Sequence, residues 1–216
     1  MTSMTASNSR VGQADPTLLH VLRQATQSHH RQIEQNARLA RLLQPDLTFS
    51  EYQTILARML GFLEPLEDAI TASPEAFLFQ ADLGDRRKAP WLVQDLRSLG
   101  LDASRIAAIP RVSLGVLPAV ATQAEAAGVL YVLEGSTLGG QLISRHLERN
   151  LNIGPEQGGR FYAGYGQENG RMWSLFRQWL GSLRLDDQQL RQATSAAAQT
   201  FESMDRWLGG EVMAHG

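Results

Sequence analysis

The stretch Tyr131-Val132-Leu133-Glu134-Gly135-Ser136-Thr137-Leu138-Gly139-Gly140-Gln141 decides how the chain is read. It reads as helix, yet it holds three glycines. A glycine in a helix interior costs about 1 kcal/mol relative to alanine. Without a Cβ, it lets another backbone or a flat ligand lie close against the helix. Gly135 and Gly139 are four apart and Gly128 stands seven before Gly135, so all three share one face with Tyr131. Two readings are open at this point: tight helix–helix packing through small residues, or a face kept clear for a ligand.

Working outward, this helix is expected over 121–150. Residues 151–167, with five glycines and one proline, read as a long loop. Helices over 170–183 and 186–208 follow. Upstream, Asp15-Pro16 has the pattern of an N-cap with proline at the first helical position. That first helix would run to about residue 43 and stop before Pro45. Thr48-Phe49-Ser50-Glu51 opens the next, capped by Ser50 or Thr48, with Tyr52, Ile55, Leu56, Met59, Leu60 and Leu63 at helical spacing. A helix over 89–99 ends at Gly100, a C-cap residue. There is no sustained strand-like alternation and no Asn-Gly hairpin turn. The fold class expected is all-α: a single-domain helical bundle of seven or eight helices over 15–210. Residues 1–14 are expected to form a disordered tail and 211–216 a flexible end.

Composition narrows the chemistry. The 216 residues contain no cysteine, which excludes disulfides, thiolate-bound metals and iron–sulfur clusters. No apolar run approaches the length of about 18 residues that a membrane span needs, and a cytoplasmic location is expected. A net charge of −2 gives no general case for nucleic acid. The basic residues are nineteen Arg and one lysine, Lys88.

The first helix holds Leu22-Arg23-Gln24-Ala25-Thr26-Gln27-Ser28-His29-His30-Arg31-Gln32-Ile33-Glu34. On a helical wheel His29 and His30 flank the apolar stripe about equally, so periodicity does not choose between them. Arg23 lies two turns before His30 and Glu34 one turn after it, along one edge. A carboxylate at that spacing can hold an imidazole in one tautomer and present its other nitrogen to a metal. The alternative is a surface histidine beside an ion pair.

Together, the Leu-Arg-x-Ala-Thr-x-x-x-His-x-x-x-Glu pattern and Glu-Gly-Ser-x-Leu-Gly-Gly-Gln resemble the heme oxygenase family. The likeness is strongest to its bacterial biliverdin-producing members, including those that serve bacteriophytochromes. It spans nearly the whole chain in helix order, specific at the two motifs and loose elsewhere. The resemblance implies heme as substrate and cofactor, with His30 as proximal ligand and Glu34 orienting it. It makes Gly135 and Gly139 the distal wall, and Ser136 stands where animal members carry an aspartate that organises distal water. Arg23 and Arg177 match cationic positions near the heme propionates, with Tyr131 and Tyr162 as further propionate partners, and Phe201 matches an aromatic wall residue. His146 lies roughly 10–16 Å along the helix from the glycines at 1.5 Å rise per residue, too far to ligate the same iron.

The reaction implied is oxidative cleavage of heme to biliverdin, CO and Fe²⁺. The sequence has no nucleotide-binding glycine fingerprint after a strand. Electrons would therefore come from an external donor such as a ferredoxin or a reductase, docking on a basic face of Arg31, Arg38 and Arg41. A bacteriophytochrome apoprotein is a candidate acceptor of biliverdin. A non-catalytic heme carrier or sensor of the same fold is the alternative.

Overall fold

The computed structural model describes residues 17–73 and 86–210. The Asp15-Pro16 cap, the 1–14 tail and the 211–216 end lie outside them. The described residues are helical, with helices α1 (Leu18–Glu34), α2 (Ala37–Arg41), α3 (Phe49–Ala72), α4 (Ala89–Ser98), α5 (Ala103–Ala107), α6 (Gln123–Leu151), α7 (Arg160–Ala163), α8 (Asn169–Ser182) and α9 (Asp187–Gly209). The expected all-α bundle is what forms.

Caps set most of the boundaries. Thr48 and Glu51, Thr122 and Glu125, and Asp186 and Gln189 form reciprocal capping boxes at the starts of α3, α6 and α9. The first helix is shorter than expected. It ends at Glu34, because Asn36 takes the extended conformation of a cap, accepts from the Arg38 N–H and starts α2. The Asn36 amide also donates to the Oδ1 and the backbone carbonyl of Asp205 on α9. A tertiary contact of that kind has no periodic signal.

Two further departures have local causes. The expected loop over 151–167 contains the single turn α7, whose first N–H groups at Arg160 and Phe161 donate to Asp95 of α4, both at 2.8 Å. The short helix α5, capped by Asp102, falls between expected elements. In α3, Pro65 lies mid-helix without ending it. Proline has no N–H for the carbonyl four residues back, and that carbonyl, Gly61 O, accepts from Val112 N instead, at 2.9 Å.

The core lies where α9 packs along α6 and α1. At Gly128 a Cβ would collide with the backbone carbonyl of Ala193, so α6 and α9 touch main chain to main chain. Helices α1 and α6 both pack on α8 and α9, yet make little direct contact with each other. That arrangement holds the histidine helix and the glycine helix on shared supports while keeping them apart.

Candidate functional site

The glycines of α6 divide into two kinds. Gly128 is pressed against α9, and a Cβ on Gly140 would come within 2.7 Å of the Tyr162 carbonyl oxygen. Gly135 and Gly139 have nothing within 4 Å of the place a Cβ would occupy. The packing reading therefore holds for Gly128 and Gly140: Gly128 lies on the expected face, but at a height where α9 covers it. Gly135 and Gly139 face open space. Beside them Leu138 and Leu142 are 40% and 53% exposed, an apolar border that no helix among the described residues covers. The Ser136 hydroxyl donates to the Leu133 carbonyl at 2.8 Å, so its oxygen is left to accept from the outside.

The histidines separate as well. His29 Nε2 is paired with Glu202 of α9 at 3.0 Å, and its Nδ1 is buried. Neither nitrogen is available to a ligand. His30 is 61% exposed, with Nδ1 3.4 Å from Glu34 Oε1 and its ring edge-on to Phe201 of α9 at 5.9 Å. Its Nε2 has no partner among the described residues. Two helical turns earlier, Arg23 is exposed, and so is Arg177 on α8. Neither has an ion pair among the described residues.

The remaining candidates divide between surface and interior. Tyr131 is half-buried with its ring 6.4 Å from Trp173 of α8. Tyr162 is 5% exposed, packed between Tyr52 and Phe161. Its hydroxyl is buried without a hydrogen-bond partner among the described residues. Burial, with Asp95 nearby, pushes that hydroxyl's pKa far up. Tyr162 is therefore a core residue, apart from the exposed candidates Arg23, His30 and Arg177. His146 Nε2–H donates to the Gln44 carbonyl at 3.0 Å, 102 residues away in the chain, with the Asn150 amide beside the ring.

The three arginines of the expected docking face differ in what holds them. The Arg38 guanidinium donates to the Leu208 carbonyl at the end of α9, and Arg41 is held by Asp46 and Glu51 at 2.8 and 2.9 Å. Arg41 is thus paired with two carboxylates, Arg38 is tethered to a neutral carbonyl without an ion pair, and Arg31 has neither contact among the described residues.

One group escaped the sequence reading. Glu134, directly before Gly135, is buried with Lys88 Nζ at 2.6 Å, the Tyr165 hydroxyl at 3.0 Å and the Arg86 guanidinium. The available signals were a carboxylate inside an otherwise apolar and glycine-rich motif and a chain with a single lysine. Nothing in periodicity brings Lys88 and Glu134 together.

Comparison with known proteins places the chain in a family. The family model described as heme oxygenase matches residues 16–209. A heme oxygenase of Xanthomonas campestris is 35% identical over 102 residues, 45% of this chain and 53% of that protein, so the match spans about half of the relative's length. The structure of heme oxygenase from Leptospira interrogans superposes with a TM-score of 0.71 at 20% identity, covering 90% of this chain and 99% of the other. That of heme oxygenase-1 from the cyanobacterium Synechocystis, solved in complex with heme, gives 0.71 at 16% identity, covering 89% and 91%. A family match over nearly the whole chain, on a fold shared with these structures, makes this protein a member of the heme oxygenase family.

Proposed function

We propose that this chain binds heme against the open face of α6, with His30 as axial ligand, and cleaves it to biliverdin, CO and Fe²⁺. The observation that carries the reading is the contrast along one helix: Gly128 and Gly140 are filled by packing, while Gly135 and Gly139 are left open. A helix that needed glycine only for packing would have no use for the second pair, which weakens it by about 1 kcal/mol each. The donor set fits the group. An exposed imidazole whose Nδ1 faces a carboxylate offers Nε2 as a neutral nitrogen ligand, and the apolar border suits a flat macrocycle.

When bound, heme supplies the iron that takes up O₂ and is itself the molecule consumed. The chain's own residues then have separable tasks. Glu34 fixes the tautomer and direction of the His30 ring, and Phe201 braces that ring from α9. Gly135 and Gly139 would leave room for the group, since neither carries a side chain into the open space beside it. Leu138 and Leu142 exclude bulk water from the plane's edge. Ser136 orients a water as hydrogen-bond acceptor, since its own proton is engaged by the Leu133 carbonyl. Arg23 and Arg177 pair with the two propionates, which fixes the rotation of the macrocycle and so the edge that is opened.

The test is a titration of apoprotein with hemin, followed by O₂ and an electron source. A sharp, saturable Soret band and its replacement by bilin absorption are expected. A stable Soret band that survives reductant and O₂ would make the chain a carrier or sensor. No Soret band at all would overturn the reading.

A further inference from the structure

Glu134 stands one residue before Gly135, but its carboxylate points into the core and is 1% exposed. Its Oε1 accepts from Lys88 Nζ and from the Tyr165 hydroxyl, and its Oε2 from Arg86. Lys88 and Arg86 belong to the segment leading into α4, and Tyr165 to the turn before α8. Arg86 also donates to the Met172 carbonyl on α8 at 3.1 Å. Separate pieces of chain therefore converge on one carboxylate, immediately behind the open glycine face.

Such a cluster is a poor way to gain stability. Taking ions out of water carries a penalty of several kcal/mol per ion, and apolar residues of equal volume usually do as well. What charged hydrogen bonds add is direction, because they are short and tolerate little displacement. The middle of α6 needs such a constraint. Gly135 and Gly139 have nothing packed on them, and glycine leaves the local backbone more freedom than any other residue. The buried Leu133 and Thr137 and the close contacts at Gly128 and Gly140 hold the helix to the core, but such contacts are non-directional where charged hydrogen bonds are directional. Only one height and rotation of α6 places the Glu134 carboxylate between Lys88, Arg86 and Tyr165.

We propose that Glu134, with Lys88, Arg86 and Tyr165, is a positioning device that fixes the Gly135–Gly139 turn and so the width of the cleft above a bound heme. The clause about heme rests on the function proposed above. The experiment has two independent arms. In the apoprotein, amide exchange over residues 135–140 should accelerate roughly tenfold or more in Lys88→Met and Glu134→Gln, with α1 and α9 unchanged, as for loss of a local constraint. Tyr165→Phe keeps the ring that meets Trp91 edge-on at 5.1 Å and loses only the hydroxyl, so a smaller acceleration at the same amides is expected. It also decides the matter should Glu134→Gln not fold. In the hemin-loaded protein, the C–O stretch of the ferrous CO complex should shift or split in the same order of variants.

Exchange that rises equally in every helix would make the cluster a plain stabiliser and overturn the proposal. Unchanged exchange at 135–140 in both Lys88→Met and Tyr165→Phe would overturn it too. A parent protein that takes up no hemin sinks the proposed function and the cleft with it, and the exchange arm still reports whether the cluster holds α6.

Discussion

At the scale of single residues, adjacent histidines differ by what reaches them from outside their helix. His29 is engaged by Glu202 across to α9, whereas His30 has only Glu34, four residues on, and the edge of Phe201. Replacing His30 by alanine should remove nitrogen ligation from the hemin complex, while His29→Ala should keep it. The reading of the pair is reversed if His29→Ala is the variant that loses the ligand in the Soret and EPR spectra. Glu34→Gln should weaken hemin binding by roughly tenfold, the lower end of what loss of a group behind a ligating histidine does. Ser136→Ala should be mild, because the open face retains backbone and water when one hydroxyl goes. A large fall in turnover would instead make Ser136 a direct participant.

At the scale of elements, helix α6 allows a contrast within one motif. Gly128→Ala forces a methyl into the Ala193 carbonyl and should lower stability by about 1–3 kcal/mol, as overpacking of a close contact does. Gly139→Leu meets open space, so its unfolding midpoint should stay near the parent's while hemin uptake or O₂ access falls. Equal thermal melts for the two variants would show that the two kinds of glycine are not distinct. Asp95 gives a second test, in α4. Burial pushes its carboxyl up to about 6, against the opposing hydrogen bonds from Phe161 and Arg160. The sign follows from proton binding. Between about pH 4 and pH 6 the folded chain holds a proton that the unfolded chain has released, so this group's contribution to stability falls as pH rises through that window and is flat above it. Asp95→Asn should remove that part of the slope in denaturation midpoints measured from pH 4 to 7, and should lower stability overall by leaving one α7 N–H facing an amide donor. A parent curve and a variant curve that run parallel would contradict the assignment.

At the scale of the whole molecule, the charge available to a partner is what remains after internal pairs are made. Arg41 is paired with Asp46 and Glu51, and Arg38 is tethered to the Leu208 carbonyl, so Arg31 is the one of the three whose side chain makes neither kind of contact among the described residues. We propose that an external electron donor, such as a ferredoxin, meets Arg31 on the His30 helix. Arg31→Glu should then lower donor-supported turnover at low ionic strength by several-fold, with the gap closing as salt screens the encounter. Arg41→Glu serves as the contrast, since it should lower stability through Glu51 and Asp46 before it touches the salt dependence. Turnover that ignores both salt and Arg31→Glu would place the donor elsewhere.

Helix content, Thr48 as one of two candidate caps and the all-α class were legible in the sequence because each depends on residues within a few positions of one another. The same local logic picked out Gly135 and Gly139 as unusual and put Glu34 one turn from His30. Long-range contact decided the rest. Asn36 broke the first helix because Asp205 lay in reach, and the glycines of α6 parted company because α9 and Tyr162 cover Gly128 and Gly140 but not their neighbours. Tyr162 went to the core, and Lys88 found Glu134 across 46 residues of chain. Periodicity records which face of an element is apolar, but which partner arrives at that face is set only when the bundle closes.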